Sequence, residues 1–297
     1  MPTVMERLPR GARVTIIRLR SLGDCVLTTP ALEILHAHRP DLQVSMVVED
    51  RFRAAFEGNS AVSSIVSKPD GGAPDLFLNL HGGTRSALLA IGTRAPIRAG
   101  FGHFRWSSLY NERIPRAQHI FAEDRTFHTA EHLASAMFFL GVPFCEIPRA
   151  SLFAPPARRP RPYAVFHPFA SRPDKVWPAE RFVALANEIH SDLDPVFIAG
   201  PGDDAAPFAS FEVVRGAPLR EVMSLIAGSS LLIGNDSGPA HIAAAYGIPV
   251  VVFFGPSNPR IWGPWRTASR ILTRPDGISA VSVDEALAAL SELKVNA

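Results

Sequence analysis

Short, nearly unbroken apolar runs alternate along this chain with longer stretches in which apolar residues recur every three or four positions. Residues 14–19, VTIIRL, form a β-branched run of strand length. Residues 29–40, TPALEILHAHRP, place apolar side chains at Ala31, Leu32, Ile34 and Leu35 and stop at Pro40. The first pattern predicts a buried strand and the second a helix, with SLGDCVLTTP between them as a turn. QVSMVVED (43–50) is the next strand, and the right-handed crossover of such a unit makes its two strands parallel. SSIVS (63–67), DLFLNLHG (75–82) and IRAGFG (97–102) read as further strands, and ALLAIGTRA (87–95) and TAEHLASAMFFLGV (129–142) as helices. Residues 104–128 show no clean period and read as long surface loops.

The pattern then breaks at the proline-rich stretch SLFAPPARRPRPY (151–163), which reads as a linker. A second alternating series follows. YAVFHPFA, DPVFIAGPG, LLIGN and VVVFFGP are predicted strands, and PAERFVALANEIH, PLREVMSLIAGS, GPAHIAAAYG and VSVDEALAALSEL are predicted helices, the last capped by Ser282 or Asp284. The expected fold class is therefore α/β, with two Rossmann-like doubly wound domains, 1–155 and 156–297, facing each other across a cleft. The last helix could pack back on the N-terminal domain. Ligands in such sheets bind beyond the carboxyl ends of the strands. The turns to inspect are SLGD, LHGG, HPFASRPDK, AGPGDD, GNDSGPAH and FGPSNP.

Composition narrows the function classes. With 297 residues, 47% hydrophobic and 20% charged, the chain can build two cores, and a net charge of +2 makes no case for nucleic acid. The two cysteines, Cys25 and Cys145, lack metal spacing and fit a reducing compartment. The amino-terminal apolar run is interrupted by Arg13 and Arg18, so no signal peptide is expected. No segment approaches the ~18–20 apolar residues of a membrane span. Lysine occurs only at Lys68, Lys175 and Lys294, which singles out the one in a strand-end loop.

In GNDSGPAH, Asp236 or Ser237 can cap a helix, Pro239 suits its start, and Gly238 lets backbone approach a ligand. The free N–H groups of such an end attract an anion, a diphosphate for instance, although a capped helix without ligand has the same sequence. Asp24, after the tight-turn residue Gly23, is either a cap or a general base. Lys175 is either a solvated lysine or a compact cation for phosphate. Asp203 and Asp204 read as turn and cap residues, not as a metal pair. The histidines lack zinc spacing, no G-x-S-x-G occurs, and no G-x-G-x-x-G follows the first strand.

Four blocks together give the chain a recognisable outline: IIRLRSLGDCVLTTPALEIL (16–35), LNLHGGTRSALLA (78–90), HPFASRPDKVWPAERFVALA (167–186) and LLIGNDSGPAHIAAAYGIPVVVFFGPSNP (231–259). In these it resembles glycosyltransferase family 9, the lipopolysaccharide heptosyltransferases. The resemblance implies a GT-B fold and an inverting, metal-independent transferase with no cofactor. Its donor would be a nucleotide sugar, typically ADP-heptose, and its acceptor a lipid-linked glycan. It implies Asp24 as general base, Lys175 as the cation on the donor phosphates, and Asp236, Ser237, Gly238 and His241, with Gly23, as donor-binding residues. It also implies a cytoplasmic protein, in peripheral contact with the inner face of the membrane. Arg51, Arg53, Arg85, Arg94, Arg98 and Arg105 are available for an acidic acceptor. The same chemistry with another nucleotide sugar, or a catalytically silent nucleotide-sugar-binding protein, are the alternatives.

Overall fold

The computed structural model describes residues 2–69 and 72–293. The chain divides into two compact units, Met1–Phe153 and Ala154–Ala297. Unit 1 runs α1 (Val4–Arg7), β1 (Arg13–Ile17), α2 (Leu22–Val26), α3 (Thr29–His38), β2 (Gln43–Val47), β3 (Ser64–Val66), β4 (Leu76–Asn79), α4 (Thr84–Gly92), β5 (Ile97–Phe101), β6 (Glu112–Ile114), α5 (Ala117–Phe121) and α6 (Thr129–Leu140). Unit 2 runs β7 (Tyr163–His167), α7 (Ala179–Ile189), β8 (Asp194–Ala199), β9 (Glu212–Arg215), α8 (Leu219–Ala227), β10 (Leu231–Asn235), α9 (Gly238–Tyr246), β11 (Val250–Phe253), α10 (Pro259–Trp262), β12 (Ser269–Leu272) and α11 (Val283–Glu292).

The unit 1 sheet has the order β3-β2-β1-β4-β5-β6 and the unit 2 sheet β12-β11-β10-β7-β8-β9, with every pairing parallel. Numbered within its own unit, each is the doubly wound order 3-2-1-4-5-6. The order reverses between β1 and β4 in unit 1 and between β7 and β10 in unit 2. These are the switch points where such sheets open a crevice for ligands.

The central strands are buried on both faces, as parallel sheets require. β4 (LFLN), β10 (LLIGN) and β11 (VVVF) have no exposed residue. α9 is apolar almost all round and buried from Pro239 to Ala245, so it lies inside unit 2; it ends at Gly247 in the left-handed conformation. α11 opens on a Ser282/Glu285 capping box and packs within unit 2, against α7 and β12.

Two expectations need correction. SLGDCVLTTP is not a turn: it contains α2. The stretch 104–128 is not all loop, because it carries β6 at the sheet edge and then α5. The linker is tied down by hydrogen bonds. Ser151 N–H donates to Thr29 Oγ1 (2.9 Å), Ala154 N–H to the Tyr246 hydroxyl (2.9 Å) and Ala157 N–H to the Ser224 carbonyl (2.8 Å). Its prolines remove donors, and these three of the remaining N–H groups find partners on the units themselves.

Candidate functional site

Each switch point carries charged side chains beyond its strands, after β1 in unit 1 and after both β7 and β10 in unit 2. In unit 1 the chain leaves β1 through Arg18 and enters α2 at Ser21. Asp24 is the N3 residue of a capping box: its Oδ2 accepts from Ser21 N–H (3.3 Å) and from Ser21 Oγ (3.1 Å). Its Oδ1 pairs with Arg18, which is buried, and a second Arg18 nitrogen donates to the Leu80 carbonyl beyond β4. Arg18 therefore ties the two sides of the switch point and fixes Asp24. A carboxylate has about four lone-pair sites, so one remains for a ligand hydroxyl. Gly23 lies inside α2, buried and outside the left-handed conformations, so no tight turn depends on it.

The turn after β4 is held by Asn79, which is fully buried. Its Oδ1 accepts from His81 N–H (2.9 Å) and Gly82 N–H (3.0 Å), and its Nδ2 donates to Ser86 (3.0 Å) and the Tyr110 hydroxyl (2.7 Å). Burial, and then the charge of Arg18, lower the His81 pKa, with Asp24 opposing, so His81 presents a neutral ring. Burial pushes the Cys25 thiol up to about 12, which removes it as a nucleophile.

In unit 2, Lys175 ends a short 3₁₀ turn, Pro173–Lys175, after β7, and Asp236 follows β10. Lys175 Nζ donates to Asp236 Oδ2 at 2.8 Å, with the carboxylate almost wholly buried and the ammonium partly exposed. The lysine turn is anchored two residues on. Trp177 is fully buried, stacked on Phe253 at 4.0 Å, its Nε1 donates to Val281 O (2.9 Å), and its N–H donates to Asn235 Oδ1 (3.0 Å). Gly255 lets that turn lie against the end of β11: a Cβ there would stand 2.2 Å from the Asp174 carbonyl oxygen.

Neither Asp236 nor Ser237 caps α9, contrary to expectation. Asp236 is engaged by Lys175. Ser237 Oγ donates to the Asn235 carbonyl (3.0 Å), so its contact with His167 Nδ1 (2.9 Å) is one in which the ring N–H donates. The hydroxyl is thereby turned away from the helix, and the Ser237 side chain leaves its first amides uncapped. Burial pushes His167 down to about 4, the charge of Asp203 opposing, so the ring is neutral at pH 7. His241 is buried within the first turns of α9.

Asp203 and Asp204 are turn residues as expected, accepting from Gly200 N–H (2.7 Å) and Ala206 N–H (3.1 Å). Among the described residues no group of three or more His, Cys, Asp or Glu is placed to hold a metal ion. Of the arginines named for an acceptor, Arg53 and Arg98 donate to backbone carbonyls, and Arg51 and Arg85 share Glu49. Sequence reasoning missed Arg18, His167, Asn79, Asn235 and Trp177 as supports. Arg18 had a signal, a charge closing an apolar strand; the others have meaning only once the strands are neighbours.

The profile of Glycosyltransferase family 9 (heptosyltransferase) matches residues 71–280. Lipopolysaccharide core heptosyltransferase OpsX of Haemophilus influenzae is 22% identical over 294 residues, spanning 87% of this chain and 83% of that protein. Lipopolysaccharide heptosyltransferase 3 of Escherichia coli K12 is 24% identical over 292 residues, spanning 83% of each. Among solved structures, the glycosyl transferase family 9 protein of Veillonella parvula DSM 2008 is similar with a TM-score of 0.84 at 24% identity, over 95% of this chain and 97% of that one. E. coli heptosyltransferase WaaC with ADP is similar with a TM-score of 0.78 at 20% identity, over 95% and 99%. These likenesses establish the fold, GT-B with two Rossmann-like domains. The profile covers Lys175, Asp236, Ser237, Gly238 and His241, while Asp24 precedes it. The chain belongs to glycosyltransferase family 9, and it is a glycosyltransferase.

Proposed function

We propose that this enzyme transfers heptose from ADP-heptose to a lipopolysaccharide core acceptor, with inversion and without a bound metal, at the inner face of the cytoplasmic membrane. The observation that carries the reading is the Lys175–Asp236 pair at the β7/β10 switch point, 2.8 Å across, beside the uncapped amino end of α9. A cation beside the Ser237 and Gly238 amides suits a diphosphate, although Pro239 offers no N–H and the Ala240 N–H already donates to the Ser237 carbonyl (3.2 Å). The donor enters from what its relatives bind: WaaC structures contain ADP and ADP-2-deoxy-2-fluoro heptose.

In this reading Lys175 and the Ser237 and Gly238 amides meet the diphosphate, and Asp236 meets the sugar hydroxyls, with His241 behind them. Asp24 takes the proton of the acceptor hydroxyl as its oxygen bonds to the anomeric carbon. The bond from that carbon to the diphosphate oxygen breaks, and ADP leaves with the electron pair. One displacement inverts the centre and needs the base opposite the leaving group. Lys175 and the helix end meet the charge that grows on that oxygen, which is electrostatic preorganisation.

The test is calorimetric titration with ADP, UDP and GDP in EDTA, followed by transfer assays with the matching sugar. Metal-independent preference for ADP and product of inverted anomeric configuration are expected. Preference for UDP or GDP would replace the sugar and keep the family. Binding abolished by EDTA would overturn the metal-free reading.

A further inference from the structure

We propose that the outward face of α4 is a docking surface for an anionic lipid bilayer. Leu88 is 61% exposed and Ile91 47%. Three positions apart, they share one helix face, while Ser86, Ala87 and Ala90 are buried. Trp106 is 38% exposed, and its indole Nε1 donates to Thr84 Oγ1 at 3.0 Å. Thr84 lies four positions before Leu88, so the indole extends the same stripe. A lone exposed leucine needs no explanation, but two large aliphatic side chains on one short helix with an indole at its edge do.

The charge around the stripe is mainly positive. From Leu76 to Asn111 the sequence holds four arginines and neither aspartate nor glutamate. Arg85, Arg94 and Arg105 are exposed, and the Arg105 guanidinium stands 5.4 Å from the Trp106 ring centroid. Arg85 reaches Glu49 at 3.5 Å, but Arg51 pairs with the same carboxylate at 2.8 Å, so a basic surplus remains. Aliphatic side chains with an indole at their edge and guanidiniums around them match acyl chains, headgroup level and lipid phosphates. That complementarity favours a bilayer over a protein partner.

Among the described residues no helix is long and apolar enough to cross a membrane, so the contact is interfacial, to a depth of roughly 5–10 Å. With so few apolar groups it is reversible. α4 begins at the turn after β4, on the rim of unit 1 that also carries Asp24. A lipid-linked acceptor would be met there, and that link alone rests on the proposed function.

The full chain is sedimented with vesicles of phosphatidylethanolamine and phosphatidylglycerol, and separately with phosphatidylcholine vesicles. Binding to the anionic vesicles, weakened by salt, is expected. Leu88→Asp with Ile91→Asp should lower it by about tenfold or more, with ADP affinity and transfer to a delipidated acceptor kept. Arg94→Ala and Arg105→Ala should each lower it about fivefold. The proposal is overturned if the wild type ignores anionic vesicles, or if the Leu88/Ile91 variant binds them as well as the wild type does. It is also overturned if light scattering shows that this variant instead dissociates a dimer. Vesicle binding without transfer to any lipid-linked acceptor would defeat the functional reading and leave the docking face standing.

Discussion

At the β1/β4 switch point the group offered to a ligand is a carboxylate, Asp24; at the β7/β10 switch point it is an ammonium, Lys175. Asp24 is held three ways within one strand–helix turn, by Ser21 N–H, Ser21 Oγ and Arg18. Lys175 pairs with a carboxylate 61 positions away, on the neighbouring strand's turn. The carboxylate is thus fixed before any ligand arrives, as suits a group that must be aimed at one proton. The ammonium sits on a flexible stem over a rigid anchor, Trp177, and can exchange Asp236 for a phosphate oxygen. The same strand order yields a fixed carboxylate in one unit and an exchangeable ammonium in the other.

The largest effect should come from Asp24→Asn. It can keep an oxygen on Ser21 and removes the proposed base, so turnover should fall ~10²–10⁴-fold with ADP affinity unchanged. Near-normal turnover in steady-state assays would break the comparison. Lys175→Met should lower turnover by about 10²–10³-fold and, unlike Asp24→Asn, weaken ADP binding in the same titration. Lys175→Met combined with Asp236→Asn should cost less than the two single effects added, because neither variant alone spares the other's partner. Additive losses would mean that the pair is not coupled. Asn79→Ala and Asn235→Ala probe the turns themselves. Asn79 bonds two backbone amides and two side chains, whereas Asn235 accepts from one backbone amide. Asn79→Ala should destabilise unit 1 by about 1–3 kcal/mol, and Asn235→Ala should destabilise unit 2 by less, read as separate shifts in calorimetric unfolding.

The strands that the sequence made legible are those buried on both faces. LFLN, LLIGN and VVVF could hardly be anything else, because a run without polar positions has only one place to go in a doubly wound fold. The strands missed were β6, β9 and β12, all at sheet edges. ERI, EVVR and SRIL are three or four residues long and carry charge, as edges must to avoid pairing with other chains, and that charge hides their period. At the sites, Asp24, Lys175 and Asp236 stood out because charged residues follow apolar strands. Their partners did not. Nothing in the residue string says that Arg18 reaches Leu80, that His167 takes the hydroxyl of Ser237, or that Asn235 holds Trp177. Those contacts exist only because first and fourth strands become neighbours at a switch point.

The smallest effect should be on pH dependence, and it distinguishes the units by the same logic. His167 in unit 2 and His132 in unit 1 are both pushed down to about 4. For His167 the cause is burial, with Asp203 opposing. For His132 it is burial and then the positive neighbours His103, Arg116 and Arg18. Either ring, at about 6.5 when unfolded, binds a proton more readily in the unfolded chain. Each therefore contributes stability that is fully present above about pH 6.5 and is lost as pH falls towards about 4. In His167 the added proton would also face the amino end of α9, whose dipole repels it. His167→Gln keeps a donor for Ser237 Oγ and cannot titrate. Calorimetric unfolding between pH 7 and pH 4.5 should show the unit 2 transition losing its pH slope in this variant, while the unit 1 transition, still carrying His132, keeps its own. An unchanged slope in unit 2 would mean that His167 does not carry the acid sensitivity of the β7/β10 crevice, and that Asp203 or another group compensates the charge.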